Sequence, residues 1–122
     1  MDAPRPQVLQ GTLDAMILAT LARAPAHGYA IARSIEHGSG GLLAIEEGSL
    51  YPALRRLRQR GDIDAEWQTT ATGRRGKVYR LTADGRARLR EERRLWAEYS
   101  AAVERVLSGR SLHPFDVDAV TD

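Results

Sequence analysis

Glu47-Gly48-Ser49-Leu50-Tyr51-Pro52-Ala53-Leu54-Arg55-Arg56-Leu57-Arg58 reads as a helix with one apolar face and one arginine face. Leu50, Leu54 and Leu57 recur at i, i+4 and i+7, the period of a stripe turned toward a core. Tyr51, Arg55 and Arg58 repeat that spacing one residue on, so they line an adjacent face. The pattern predicts a helix starting at Ser49 or just before it, with the Ser49 hydroxyl as N-cap acceptor. Pro52 then falls in the first turn, where a missing N–H costs little. Guanidiniums and a phenol close to a helix N-terminus suit insertion into a DNA major groove. The bland alternative is a solvated amphipathic helix.

Charge outside this helix weighs against the bland alternative. The 122-residue chain has a net charge of only +2, but residues 55–94 hold 13 Lys/Arg against six Asp/Glu. All but one of the 18 basic residues are arginine, the side chain suited to bidentate contact with phosphate or guanine. Segregated positive charge attracts a polyanion. Local acids such as Glu91 and Glu92 answer part of residues 86–94, whereas residues 74–80 contain no acid.

Working outward, residues 1–8 carry two prolines and no periodicity, and read as a flexible N-terminus. Leu9, Leu13, Ile17 and Leu21 predict a first helix, with Thr12 as its candidate N-cap and Pro25 ending it. A second helix is expected from about His27 to His37, anchored by Tyr29, Ile31 and Ile35 and broken by Gly38-Ser39-Gly40-Gly41. The quoted helix follows and ends at Gly61, which suits a left-handed C-terminal cap. Ile63, Ala65 and Trp67 alternate with Asp62, Asp64 and Glu66, the period of a strand. Lys77–Leu81 supplies its partner, and residues 69–76 form the tip between them, with two glycines and two arginines. Thr82 caps a long helix, roughly Ala83 to Leu107, ended by Gly109.

The fold expected is mainly α with a small β-hairpin: a winged helix-turn-helix over residues 9–82, extended by a C-terminal helix over 83–108. Residues 109–122 read as a mobile tail. In that architecture the third helix enters the major groove and the hairpin tip meets the backbone. Both electropositive elements are therefore the ones this fold places on DNA. The candidate DNA-binding residues are Tyr51, Arg55, Arg58, Arg74, Arg75 and Lys77. On the long helix Leu89, Trp96 and Val103 are seven apart, and Tyr99 and Val106 occupy the other core positions of that register. Glu92 is the polar exception. This coiled-coil-like stripe predicts a homodimer seam made by Leu89, Trp96, Tyr99, Val103 and Val106. Packing of the same stripe against the first helix is the competing reading.

The chain resembles the PadR family of transcriptional regulators. The matching segments are Leu9–Asp14, His27–Ile31, Glu46–Leu54, Thr72–Arg75 and Tyr79–Thr82, in the family's order across about residues 9–107. The resemblance implies a dimeric winged-helix repressor that binds a pseudo-palindromic operator in double-stranded DNA, with Ser49 and Tyr51 of the third helix and Arg74 and Arg75 of the wing as DNA contacts. It also implies a hydrophobic or aromatic effector at the dimer interface, with Trp96 as the stacking residue. Tyr99, Leu13 and Met16 are the further candidate ligand-lining positions.

The composition excludes several classes. There are no cysteines, so disulfides and thiolate metal sites are absent, and His27, His37 and His113 show no metal-ligand or catalytic spacing. No cofactor, no metal and no enzymatic activity are expected. No apolar run reaches membrane-spanning length and the N-terminus lacks signal-peptide character, so a cytoplasmic protein is expected. A winged-helix protein–protein adaptor is the alternative function, and it calls for neutral third-helix and wing surfaces.

Overall fold

The computed structural model describes residues 10–69 and 71–109. The expectations for residues 1–8 and for the tail beyond Gly109 lie outside the described residues, as does Thr70 at the hairpin tip. The elements run α1 (Gln10–Arg23), β1 (Ala26–His27), α2 (Gly28–Gly38), α3 (Glu47–Arg60), β2 (Ile63–Thr69), β3 (Arg75–Leu81) and α4 (Ala83–Leu107). The chain divides into two compact units, one up to Glu92 and one from Arg93 onward.

The first unit is three helices on a three-stranded antiparallel sheet, ordered β1-β3-β2. Leu13, Ile17, Leu18 and Leu21 of α1, Ile31 and Ile35 of α2, and Leu50, Ala53, Leu54 and Leu57 of α3 form one core with Ile63, Tyr79 and Leu89. The stripes read from the sequence are thus the buried ones. Tyr29 is the exception: it is 68% exposed and lies under the Arg33 guanidinium rather than in the core. The third strand escaped the sequence reading. Ala26 and His27 pair with Tyr79 and Val78, and two residues are too few to show a period.

Three local corrections concern helix starts. Thr12 lies inside α1, not at its cap, and α2 begins at Gly28, one residue later than expected. Glu46, not Ser49, is the N-cap of α3, and Pro52 therefore falls in the second turn. The carbonyl deprived of its partner there is that of Gly48, which is exposed to solvent, so the usual cost of an interior proline is reduced.

The junction between α3, β2 and α4 is the tightest in this unit. Gly61 takes φ 83°, a left-handed conformation that favours glycine. Its N–H bonds the Arg58 carbonyl, and that of Asp62 bonds the Leu57 carbonyl, the paired closure of a Schellman motif. The Asp62 carbonyl then accepts from Thr82 N–H at 3.1 Å, while the Thr82 hydroxyl donates to the Gly61 carbonyl at 2.7 Å. Thr82 Oγ1 also accepts from Gly85 N–H at 3.0 Å, which makes it the N-cap of α4 as expected. Gly85 packs on this corner so closely that a Cβ would clash with the Asp62 carbonyl oxygen and lie 2.6 Å from Leu81 Cδ1.

The second unit is the distal part of α4. Trp96 and Tyr99 face one another with ring centroids 6.1 Å apart. Leu95, Trp96, Tyr99, Val103, Val106 and Leu107 are all exposed. Leu89 lies on the other side of the division and is 6% exposed in the core of the first unit. Its side chain thus packs within the domain, a correction to its place in the expected seam. The Glu92 exception in the heptad marks where the buried stripe stops and the exposed one starts.

Gly85→Ala should lower stability by about 1–3 kcal/mol, the range for overpacking, although alanine is the better helix former. Urea denaturation followed by circular dichroism measures it; a neutral or stabilising result would mean the corner yields.

Candidate nucleic-acid interface

The arginines of α3 fall into two sets that the sequence does not separate. Asp14 of α1 is 5% exposed, and an unpaired carboxylate at that depth would cost several kcal/mol. Arg56 Nη2 donates to its Oδ1 at 3.0 Å and Arg60 Nη1 to its Oδ2 at 3.4 Å. The Arg56 guanidinium is held inward, and Arg60 reaches the same carboxylate from the surface. The basicity of this helix therefore serves internal pairing as well as an external surface. An open polar cleft of about 450 Å³ beside this pair is lined by Gly11, Asp14, Arg60, Arg88 and Glu92.

Tyr51, Arg55 and Arg58 take the other flank of α3 and are exposed. Tyr51 is 42% exposed, and its ring lies against the first residue of α2: a Cβ on Gly28 would come within 3.1 Å of Tyr51 Cε1 and 3.2 Å of its hydroxyl oxygen. The glycine that opens α2 thus gives the tyrosine a backbone surface to rest on. Ser49 is exposed in the first turn.

The hairpin brings the remaining expected residues together. Register pairs Trp67 with Lys77 and Thr69 with Arg75, so all four share one face of β2 and β3. Gly73 supplies the positive φ of the turn, 83°. Arg74 and Arg75 are exposed and Lys77 is half-buried. His27 joins the wing from β1: its Nδ1 lies 3.0 Å from the Lys77 carbonyl oxygen, and a Cβ on Gly76 would meet that ring at 3.0 Å. Gly76 is thereby the residue that lets β1 close on the hairpin.

Sequence reasoning missed Trp67 as a surface residue. It alternates with acids as a core-facing residue should, yet it is 56% exposed, because the hairpin runs on past the core. The Arg75 guanidinium carbon and the Lys77 ammonium nitrogen each lie 5.3 Å from its ring centroid.

Tyr79 links the two surfaces. It is buried at the base of the wing, and burial pushes its phenol above the usual value of 10.0; the nearby Arg58 cation pulls it down and Tyr51 pushes it up. Candidate ligand positions fall in different settings. Leu13 is buried in the core, Met16 is partly buried against it, and Trp96 and Tyr99 are exposed on the distal part of α4.

A family model described as the PadR-like transcriptional regulators matches residues 17–91. The chain belongs to this family. A transcriptional regulator of Mycobacterium tuberculosis is 42% identical over 67 residues, 55% of this chain and 59% of that protein. Among solved structures, a PadR family transcriptional regulator of Eggerthella lenta is 36% identical with a TM-score of 0.68, covering 80% of this chain and 83% of that one. A Streptococcus mutans protein is 29% identical with a TM-score of 0.76, covering 93% and 99%. The fold is the winged helix of these neighbours, and the protein is a DNA-binding transcriptional regulator rather than an enzyme. Among the described residues no helix is long and apolar enough to cross a membrane.

The Tyr79 phenol has a defined pH signature. Its folded-state pKa is raised, so the unfolded chain ionises first, and the stability it contributes is present below pH 10 and lost as pH rises beyond it. Tyr79→Phe should therefore flatten the fall of stability above about pH 10 relative to wild type. Identical alkaline limbs in urea titrations would show that burial does not perturb this group.

Proposed function

We propose that this regulator works as a homodimeric repressor. Its two α3 helices occupy successive major grooves of a pseudo-palindromic operator and its wings flank them. The observation that carries the dimer is the run of exposed apolar side chains beyond Glu92. Trp96, Tyr99, Val103 and Val106 follow a coiled-coil register on one helix and are 37–74% exposed. A second copy of the same helix satisfies all four, and two-fold pairing matches a palindromic site with half-sites about 34 Å apart. On this reading residues 9–82 form the DNA-binding module and the distal part of α4 forms the seam.

Within each half-site, Tyr51 and Arg55 contact base edges, with Ser49 at the helix entry. Arg58, Arg74, Arg75 and Lys77 contact phosphates. The exposed arginine flank of α3 and the basic wing face support DNA docking over the adaptor reading. Relief of repression by an aromatic or hydrophobic compound at the seam is supported by the facing Trp96 and Tyr99 rings. A ligand acts there only through unequal affinity for two arrangements of the reading heads. Titrating aromatic compounds into a Trp67→Phe background isolates Trp96 emission as the reporter.

The test combines sedimentation velocity with fluorescence anisotropy on DNA from upstream of the gene and on scrambled DNA. Wild type should sediment as a dimer and prefer the upstream DNA. Val103→Asp should yield a folded monomer that loses the preference. Arg55→Ala should cost about 1–3 kcal/mol on the operator and relax specificity, whereas Arg75→Ala should weaken all sequences alike. A wild-type monomer, or an Arg55→Ala protein that binds the operator normally, would contradict the reading.

A further inference from the structure

Among the exposed aromatic side chains of the first unit, Trp67 is the one that two cations approach. It lies on β2 beyond the end of the core, where its exposure adds little to folding. The Arg75 and Lys77 head groups stand 5.3 Å from its centroid. Such contacts are weak at an exposed site, but a rigid indole beside two long side chains restricts where their charges can go. The ring holds both cations on one face of the hairpin.

The two faces of the wing carry opposite charge. Trp67, Thr69, Arg75 and Lys77 share one face, while Asp64, Glu66 and Gln68 point to the other. Glu66 holds Arg80 at 3.4 Å on that second face and also accepts from Gln68 at 3.0 Å. A polyanion is drawn to the first face and repelled from the second. The first face continues at its base into Ile63 and Tyr79, which pack with α3, and the Arg58 and Tyr51 groups lie within electrostatic reach of Tyr79. Trp67 therefore shares the sheet face that runs from Tyr79, within reach of Arg58 and Tyr51, out to Arg75 near the tip.

We propose that Trp67 is a DNA-contact residue of the wing: its indole packs on the deoxyribose of the strand whose phosphates Arg75 and Lys77 neutralise. This rests on the docking described above. Sugar and ring packing is indifferent to base identity, so Trp67 adds affinity to every sequence and specificity to none. It also seats the wing at a fixed depth, because a planar side chain cannot collapse as a lysine does.

A Trp96→Phe protein leaves Trp67 as the single tryptophan. It is titrated with an end-labelled duplex from upstream of its gene, and both label anisotropy and acrylamide quenching of Trp67 are read. Quenching should fall several-fold as anisotropy saturates. In the otherwise wild-type chain, Trp67→Ala should weaken upstream and scrambled duplexes alike by roughly tenfold, an aromatic-stacking magnitude. Trp67→Phe should restore most of that loss, and the melting temperature of all three proteins should agree. Saturating anisotropy with unchanged quenching overturns the inference and leaves the docking of α3 intact. So does wild-type affinity in Trp67→Ala. Anisotropy that never rises on either duplex with the wild-type protein overturns the docking, and the inference with it.

Discussion

The buried carboxylate of Asp14 sets how α3 is presented. A carboxylate at that depth must be answered, and the groups that answer it are Arg56 and Arg60 of α3. Their pairing fixes the rotation of α3 about its own axis. With Arg56 and Arg60 turned toward α1, and Leu50, Leu54 and Leu57 turned toward the core, Tyr51, Arg55 and Arg58 must face outward. The ion pair is more than a surface ornament: both side-chain oxygens of Asp14 are engaged and its side chain is 7% exposed, whereas the Arg80–Glu66 pair has both partners about half exposed. Exposed pairs of that second kind contribute about 0–1 kcal/mol, while a half-buried one resists removal of either partner more strongly.

The far end of α3 is held by backbone rather than charge. The left-handed turn at Gly61 aims Asp62 into the corner where Thr82 caps α4, and Gly85 leaves room for the Asp62 carbonyl. The Asp62 carboxylate reaches Arg88 Nε at 3.6 Å from the same corner. These contacts make the start of α4 and the start of the wing a common platform. From it the hairpin projects with Trp67, Arg75 and Lys77 on the sheet face that carries Tyr79 at its base.

The order of elements and the buried stripes were legible because each depends on local periodicity. Leu50, Leu54 and Leu57 announce a buried helix face, and Ile63 and Ala65 a strand, without knowledge of the partner. What escaped depends on contacts distant in sequence. Nothing local separates Arg55 from Arg56, since the acid that claims Arg56 is 42 residues away. Trp67 obeys the strand period but lies where the sheet has outrun the core, and period alone does not report where a core ends. The β1 bridge is two residues long, below any periodic signal. The start of α3 lies ahead of the first turn that Pro52 suggests, because the exposed Gly48 carbonyl tolerates the proline in the second. Leu89 kept a heptad register whose two halves face different surroundings, a division that spacing does not reveal.

On the proposed docking Arg56 and Arg58, two residues apart on one helix and about 160° apart around it, serve different partners. The salt dependence of DNA binding separates them most directly. Each phosphate contact contributes about 0.9 to the slope of log affinity against log salt concentration. Arg58→Ala should lower that slope by about one unit with little change in stability. Arg56→Ala should leave the slope unchanged and lower the melting temperature. An Arg56→Ala protein that loses a unit of slope while melting as wild type would place Arg56 on the DNA and contradict the account.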